Sequence, residues 1–287
     1  MHSIIVSRTD KAGMNIAQRL IEFHGFAETN EKFLGEAIYK TQNNKNPHAR
    51  DFQLVFIKRE QIFADELNSL ETDFFIFASK HRSESGRPTL TAHGIGNWGE
   101  DASFGGKQRT LVPTSANLLK NYLLGLQEQK ETLKNKNALA GYDVMLEVTH
   151  HGPFLEKPAV FIELGSSEGQ WKDETAARAV ADVVMYKTFA KPAEKQIPAI
   201  GLGGGHYAQE FSKLVLRKNY ALSHIVPEYA LPNFDAEMLR KAIACTLEPV
   251  QEIVVDWKGL GKEKARIRAL LEEQELPAVD ARKLLRG

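Results

Sequence analysis

Six of the nine histidines, His81, His93, His150, His151, His206 and His224, fall in or beside segments that follow apolar runs. Neutral imidazole is the commonest metal ligand, and a few converging imidazoles with a carboxylate suit Zn²⁺. Carboxylates stand close by: Glu147 precedes Thr149-His-His-Gly-Pro153, and Glu163 lies in Phe161-Ile-Glu-Leu-Gly-Ser-Ser-Glu168. A bridging carboxylate such as Glu163 also leaves room for two metals. None of these spacings is a zinc signature alone. H-E-x-x-H is absent, and adjacent side chains on extended backbone point to opposite sides, so His150 and His151 converge only if the chain turns between them. Taken singly, each histidine reads more readily as a loop imidazole bonded to backbone than as a ligand; their clustering carries the argument.

Other segments invite chemistry less strongly. Gly165-Ser166-Ser167-Glu168-Gly169 reads G-x-S-x-G, as a nucleophile elbow does, which would make Ser167 the nucleophile of an esterase acting on small acyl esters. The same residues make a helix start, with Ser167 as N-cap and Gln170 completing a capping box, and that assignment is simpler. Gly201-Leu-Gly203-Gly-Gly-His206 lacks the last glycine of a dinucleotide fingerprint. Its N–H groups, Gly203, Gly204 and Gly205, are candidates to receive a developing oxyanion, with Ser166 beside the substrate. Basic residues gather in two places, Lys80, Arg82, Arg87, Lys107 and Arg109, then Lys258, Lys262, Lys264, Arg266 and Arg268. Both suit a nucleic-acid backbone, and a solvated helix face explains the second equally well.

The elements that must position these groups alternate short apolar runs with amphipathic stretches, the pattern of an α/β fold. Strands are expected at Ser3–Ser7, Phe33–Lys40, Phe52–Ile57, Phe74–Ser79, Asp143–Val148, Ala159–Leu164, Ile197–Leu202, Tyr220–Val226 and Ile253–Trp257. Helices are expected at Ala12–His24, Thr114–Gln129, Trp171–Phe189, Ala208–Arg217, Asp235–Cys245 and Lys262–Gln274. Thr41–Arg50 reads as a polar loop, and Gln127–Gly141 as a charged helix end with its connector. From about 80 to 110 the chain carries six glycines and little periodicity, so a long Gly/His-rich site loop is expected there.

With 37 basic and 37 acidic residues, the chain is no polybasic membrane-surface or histone-like protein. Its 43% hydrophobic content is that of a globular chain. The 287 residues fit a single α/β domain. One cysteine, Cys245, excludes an internal disulfide, and no apolar run approaches a membrane span, so a cytoplasmic, membrane-free protein is expected.

Taken together, the segments resemble one family. Asp10-Lys11-Ala12, Phe77-Ala-Ser-Lys-His81, Leu90-Thr-Ala-His93 with Gly96-Asn-Trp-Gly99, Phe104-Gly-Gly-Lys107, the His150–His151 and Gly203–Tyr207 motifs, His224-Ile-Val-Pro227 and Asp256-Trp-Lys-Gly259 are similar to the archaeal and plant type of D-aminoacyl-tRNA deacylase. Two departures, Lys80 for an expected arginine and Ala92 for a second threonine, touch contacts more than chemistry. The resemblance implies a three-layer α/β/α fold with a mixed central sheet, of the phosphorylase and peptidyl-tRNA hydrolase kind. It implies cleavage of the D-aminoacyl-tRNA ester by a zinc-activated water, with one or two ions per chain. Ligands are then expected among His81, His93, His150, His151 and His206, acid–base work from Glu163 or Glu147, and acceptor-end contacts from Lys80, Arg82, Lys107, Lys258 and Lys262, with no obligate protein partner. A tRNA-binding protein without catalysis is the competing expectation.

One difficulty stands. The connection from Val148 to Ala159 is too short for a crossover helix. If the strands it joins are antiparallel neighbours, the His-His-Gly-Pro and Gly-Ser-Ser-Glu loops lie on opposite edges of the sheet, and Glu163 is separated from the histidines.

Overall fold

Asp10 ends the first strand, β1 (His2–Ser7), and starts the first helix, α1 (Lys11–His24), by accepting the Gly13 N–H at 2.8 Å. Ile16, Ala17 and Leu20 form the buried stripe of α1, and Gly25, at φ 70°, closes it in the left-handed region. The computed structural model describes residues 1–41, 51–84, 86–132, 137–192 and 194–286. The chain continues through β2 (Phe26–Phe33), β3 (Glu36–Thr41), β4 (Phe52–Ile57), β5 (Phe74–Arg82), β6 (Thr89–His93), β7 (Gly96–Asn97) and β8 (Thr110–Leu111). It then runs α2 (Ala116–Glu131), β9 (Asp143–Leu146), β10 (Ala159–Ser166), α3 (Glu168–Trp171), α4 (Glu174–Lys187), β11 (Ile197–Leu202), α5 (Gln209–Arg217) and β12 (Tyr220–Val226). Last come α6 (Ala236–Ala244), β13 (Glu252–Val255), α7 (Lys264–Glu272), β14 (Ala278–Asp280) and α8 (Ala281–Arg286).

The expected mixed α/β architecture is present, with a large mixed sheet and helices on both sides. Eight strands form one sheet in the order β2-β3-β4-β1-β5-β10-β6-β9, and four parallel strands form a second, β12-β11-β13-β14. In the large sheet β4, β1, β5 and β10 run parallel, while β6 runs antiparallel to β10 and parallel to β9. One face carries Ile4, Val6, Ile76, Ala78, Val160 and Ile162 into a core shared with α1, α2 and α4. The opposite face carries Ile5, Val55, Phe77 and Phe161, covered by the 3₁₀ turns Gln61–Phe63 and Asp65–Ser69 and by Ile95, Val112 and Leu155. Among the described residues no helix is long and apolar enough to cross a membrane.

Several expectations need correction. The strand expected at Phe33–Lys40 begins too early: Phe33 ends β2, Leu34 (φ 49°) and Gly35 (φ 84°) make a tight turn that needs positive φ, and β3 starts at Glu36. Phe26–Phe33 escaped notice because it is an outer strand exposed on both faces, which erases alternation. The expected helix Trp171–Phe189 starts at Glu174, because Asp173 caps it through the N–H groups of Thr175 and Ala176, and Trp171 ends the short α3 before it. The supposed loop from 80 to 110 holds the end of β5 and all of β6, which is fully buried and therefore shows no polar–apolar alternation. The polar loop at Thr41–Arg50 lies, beyond Thr41, outside the described residues, as does part of the Gln127–Gly141 connector.

Candidate metal centre

Strand register alone brings most of the site together. Phe77, Ser79 and His81 of β5 pair with Phe161, Glu163 and Gly165 of β10. These in turn pair with His93, Thr91 and Thr89 of β6, so all nine share the sheet face opposite α1, α2 and α4. Glu147, just past β9, hydrogen-bonds through its N–H to Ala92 O and reaches the same face. The difficulty with Glu163 is thereby removed: β9 and β10 do run in opposite directions, but β6 lies between them and the site sits on the sheet face instead of at an edge. Loops close over it. Ile95 bridges to His150, and Glu147 to Tyr207. His151 adopts φ 46°, which supplies the turn that lets both adjacent imidazoles face inward.

Three imidazoles are prepared in one way. His93, His150 and His151 each donate Nδ1–H to a backbone carbonyl, of Gly94 (2.9 Å), Val148 (2.8 Å) and Gly152 (2.6 Å). Burial lowers all three pKa values, His93 and His151 to about 3. They are neutral at pH 7, with Nε2 lone pairs turned toward one another and within 4.8 Å. His93 Nε2 is buried without a hydrogen-bond partner.

His81 is prepared in the opposite way. Burial pulls its pKa down, but the carboxylates of Glu147 (3.0 Å) and Glu163 (3.4 Å) outweigh it and raise the value to about 11. With both ring nitrogens protonated it donates from Nε2 to the Tyr207 hydroxyl at 2.8 Å. Trp171 Nε1 donates to His81 O, fixing the backbone behind the ring. Burial pushes Glu163 up to about 7, with His81 opposing. Burial would raise Glu147 too, yet His206 Nε2 at 2.8 Å and His81 hold it well below the usual carboxylate range.

The donor set fits a divalent cation. Both Glu147 oxygens, like His93 Nε2, are buried and make no aligned hydrogen bond. Such atoms are costly to leave unmet, and convergent lone pairs without mutual hydrogen bonds are what a metal satisfies. His93, His150 and His151 form one group of three, and His81, Glu147 and His206 a second. A third, His93, Glu147 and Glu163, links them.

A cleft of about 270 Å³ opens onto the cluster, lined by His81, His150, His151, Glu163 and His206 and, at its rim, by Lys80, Arg82 and Phe104. Lys107, Lys258 and Lys262 are exposed and outside this lining. Lys107 lies over the Phe154 ring at 3.5 Å. Arg87, Arg109 and Arg266 are engaged by Asp143, by Asp235 and by Glu263 with backbone carbonyls.

The remaining candidates sit elsewhere. Gly203 and Gly204 donate their N–H groups to Val226 O (2.8 Å) and Gly259 O (2.9 Å), so they are not oxyanion donors. Their positive φ values shape the turn out of β11 instead. Gly205 is exposed beside His206. Ser166 is buried and bonded to Arg87 O and Thr89 Oγ1. Ser167 is exposed, and its N–H and Oγ both donate to Gln170 Oε1, in the expected capping box. His224 stands apart, against Trp98 and Cys245 O. Tyr207 is the site residue the sequence did not single out; its signal was adjacency to His206.

A family model described as D-aminoacyl-tRNA deacylase matches residues 68–279. The D-aminoacyl-tRNA deacylase of Pyrococcus furiosus is 37% identical over 267 residues, covering 90% of this chain and 92% of the relative. The chain belongs to the D-aminoacyl-tRNA deacylase family. The Cenarchaeum symbiosum deacylase is 34% identical across 98% of this chain and 100% of its own length. A crystal structure of a conserved protein of unknown function superposes with a TM-score of 0.85 at 29% identity, over 100% of this chain and 97% of the other. Within this deacylase family match lie all seven clustered groups, His81, His93, Glu147, His150, His151, Glu163 and His206.

Proposed function

We propose that the protein hydrolyses the ester bond of D-aminoacyl-tRNA, releasing a free D-amino acid and tRNA, with one or two Zn²⁺ ions per chain. The observation that carries this is the convergence of five histidines and two glutamates on one sheet face, in a chain of this family. His93, His150 and His151 would hold one ion, and Glu147 with His206 a second, which His81 would join only by giving up its Nδ1 proton. Zn²⁺ held there supplies Lewis acidity, which brings the pKa of a water near 7.

The chain's own groups account for the rest. Glu163 lines the cleft, 3.9 Å from His93 Nε2, and is the carboxylate suited to take a proton from the attacking water and return it to the departing 3′ oxygen. The water oxygen bonds to the carbonyl carbon, the carbon–oxygen ester bond breaks, and that proton leaves with the ribose hydroxyl. Tyr207 and Trp171 hold His81, and through it both carboxylates. Lys80 and Arg82 at the rim suit the phosphates of the acceptor end, with Lys107, Lys258 and Lys262 further out. Such a substrate and a single cysteine support a cytoplasmic enzyme.

The test is release of amino acid from D-tyrosyl-tRNA and L-tyrosyl-tRNA, before and after chelation and zinc restoration. D-selective release that chelation abolishes and zinc restores is expected, and His151→Ala should lose zinc and activity together. Chelator-insensitive release would return attention to Ser167. No release from either tRNA would leave a binding protein.

A further inference from the structure

Phe104 is, at 67%, the most exposed large apolar side chain among the described residues. Single exposed hydrophobics are ordinary, and Tyr186 (56%) and Leu34 (55%) need no function. Phe104 differs in where it stands, on the lip of the cleft that holds His150, His151, His206 and Glu163.

It also differs in how it is held. Phe104 O accepts from Gly152 N at 3.0 Å, directly after His151, and Asn97 Nδ2 donates to Gly105 O at 2.8 Å. A Cβ on Gly105 would stand 1.7 Å from Ile62 O, and one on Gly152 would stand 2.2 Å from Gly106 N. Three chain passages therefore interlock through bare glycine backbone. The ring is open to solvent while the backbone beneath it is fixed.

An aromatic face held ready in this way, with cations beside it, is how single-stranded nucleic acid is bound without paying for ordering at contact. Lys80 and Arg82 line the same cleft, and Lys107 follows three residues after the ring. Substrate topology decides which part of the ligand meets Phe104. The amino acid is the free end of an aminoacyl-tRNA, whereas the nucleotide chain must leave toward solvent. With the ester at the histidine cluster, the amino acid lies inward and the terminal nucleotide lies at the mouth.

We propose that Phe104 is the stacking platform for the terminal base of the substrate's single-stranded 3′ end, an assignment that rests on the deacylase reading. The test uses the full chain and a fluorescein-labelled ACCA RNA oligomer, read by anisotropy, with Phe104→Ala, Phe104→Trp and Tyr186→Ala. Loss of the ring should weaken oligomer binding about tenfold or more. Trp should restore it, and Tyr186→Ala should change nothing. In turnover, Phe104→Ala should raise KM equally for D-alanyl-tRNA and D-tyrosyl-tRNA with little change in kcat. Unchanged oligomer affinity would overturn the proposal, as would a KM defect confined to D-tyrosyl-tRNA, which would put the ring against the amino acid. Oligomer binding through Phe104 by a protein that releases no amino acid would uphold the platform and sink the deacylase reading.

Discussion

Glu147 and Glu163 follow or lie in strands that run in opposite directions, yet both carboxylates meet His81 Nδ1, at 3.0 and 3.4 Å. Their surroundings separate them: Glu147 is held well down by His206 and His81, and Glu163 is pushed up by burial. The pair should therefore divide under isosteric substitution. Glu147→Gln should lose bound zinc. Glu163→Gln should keep it while kcat falls about 10²- to 10⁴-fold. Zinc content by mass spectrometry beside single-turnover rates checks this, and zinc lost from Glu163→Gln would make that residue a ligand.

Ser167→Ala should leave deacylation within about twofold, because its hydroxyl only caps α3 through Gln170. The cost should be at most about 1 kcal/mol of stability. A hundredfold fall in rate would restore the serine nucleophile.

Gly165 lies opposite His81 in the β5–β10 register, and a Cβ there would sit 2.6 Å from His81 Cβ. Gly165→Ala should destabilise the protein by about 1–3 kcal/mol and lower its zinc content by displacing His81. Gly169→Ala, where a Cβ meets nothing within 4 Å, should do neither. Urea midpoints of the two variants, measured side by side, decide the matter.

Burial holds His224 neutral, with its pKa lowered to about 4 from 6.5. Between these values the unfolded chain binds more protons than the folded one. Stability owed to the neutral ring is thus complete above pH 6.5 and is lost as pH falls toward 4, by roughly 3 kcal/mol at most. Replacing His224 with Asn should flatten the acid limb of the stability curve. Denaturation of both proteins from pH 4 to 7 gives the comparison, and parallel curves would refute it.

His150, His151 and His206 were legible because reactive residues on loops interrupt periodicity; His81 and His93 end strands β5 and β6, and all five do converge. What was hidden was β6. A strand covered on both faces has no alternation, and Thr89–His93 mixes small and polar residues that read as a loop. Without β6 the β9–β10 geometry could not be solved, so Glu163 seemed stranded. The glycines misled differently: positive φ and close packing explain Gly203 and Gly204, and their N–H groups were already taken. The outer strand β2 hid because it is exposed on both faces, and the break at Asp173 rests on a single cap.

The centre has a floor and a rim of different origin. Its floor, His93, Glu163 and Glu147, is at most 4% exposed and is held on β6, on β10 and just past β9, while Lys80, Arg82 and Phe104 make the rim. The floor can be altered only by altering the fold's most protected backbone, so amide exchange there should report whole-molecule unfolding. The Phe104 side chain, open to solvent on that rim, can be exchanged without that penalty. In the proposed reaction the core would fix where the bond is broken, and the edge would meet the molecule that presents it.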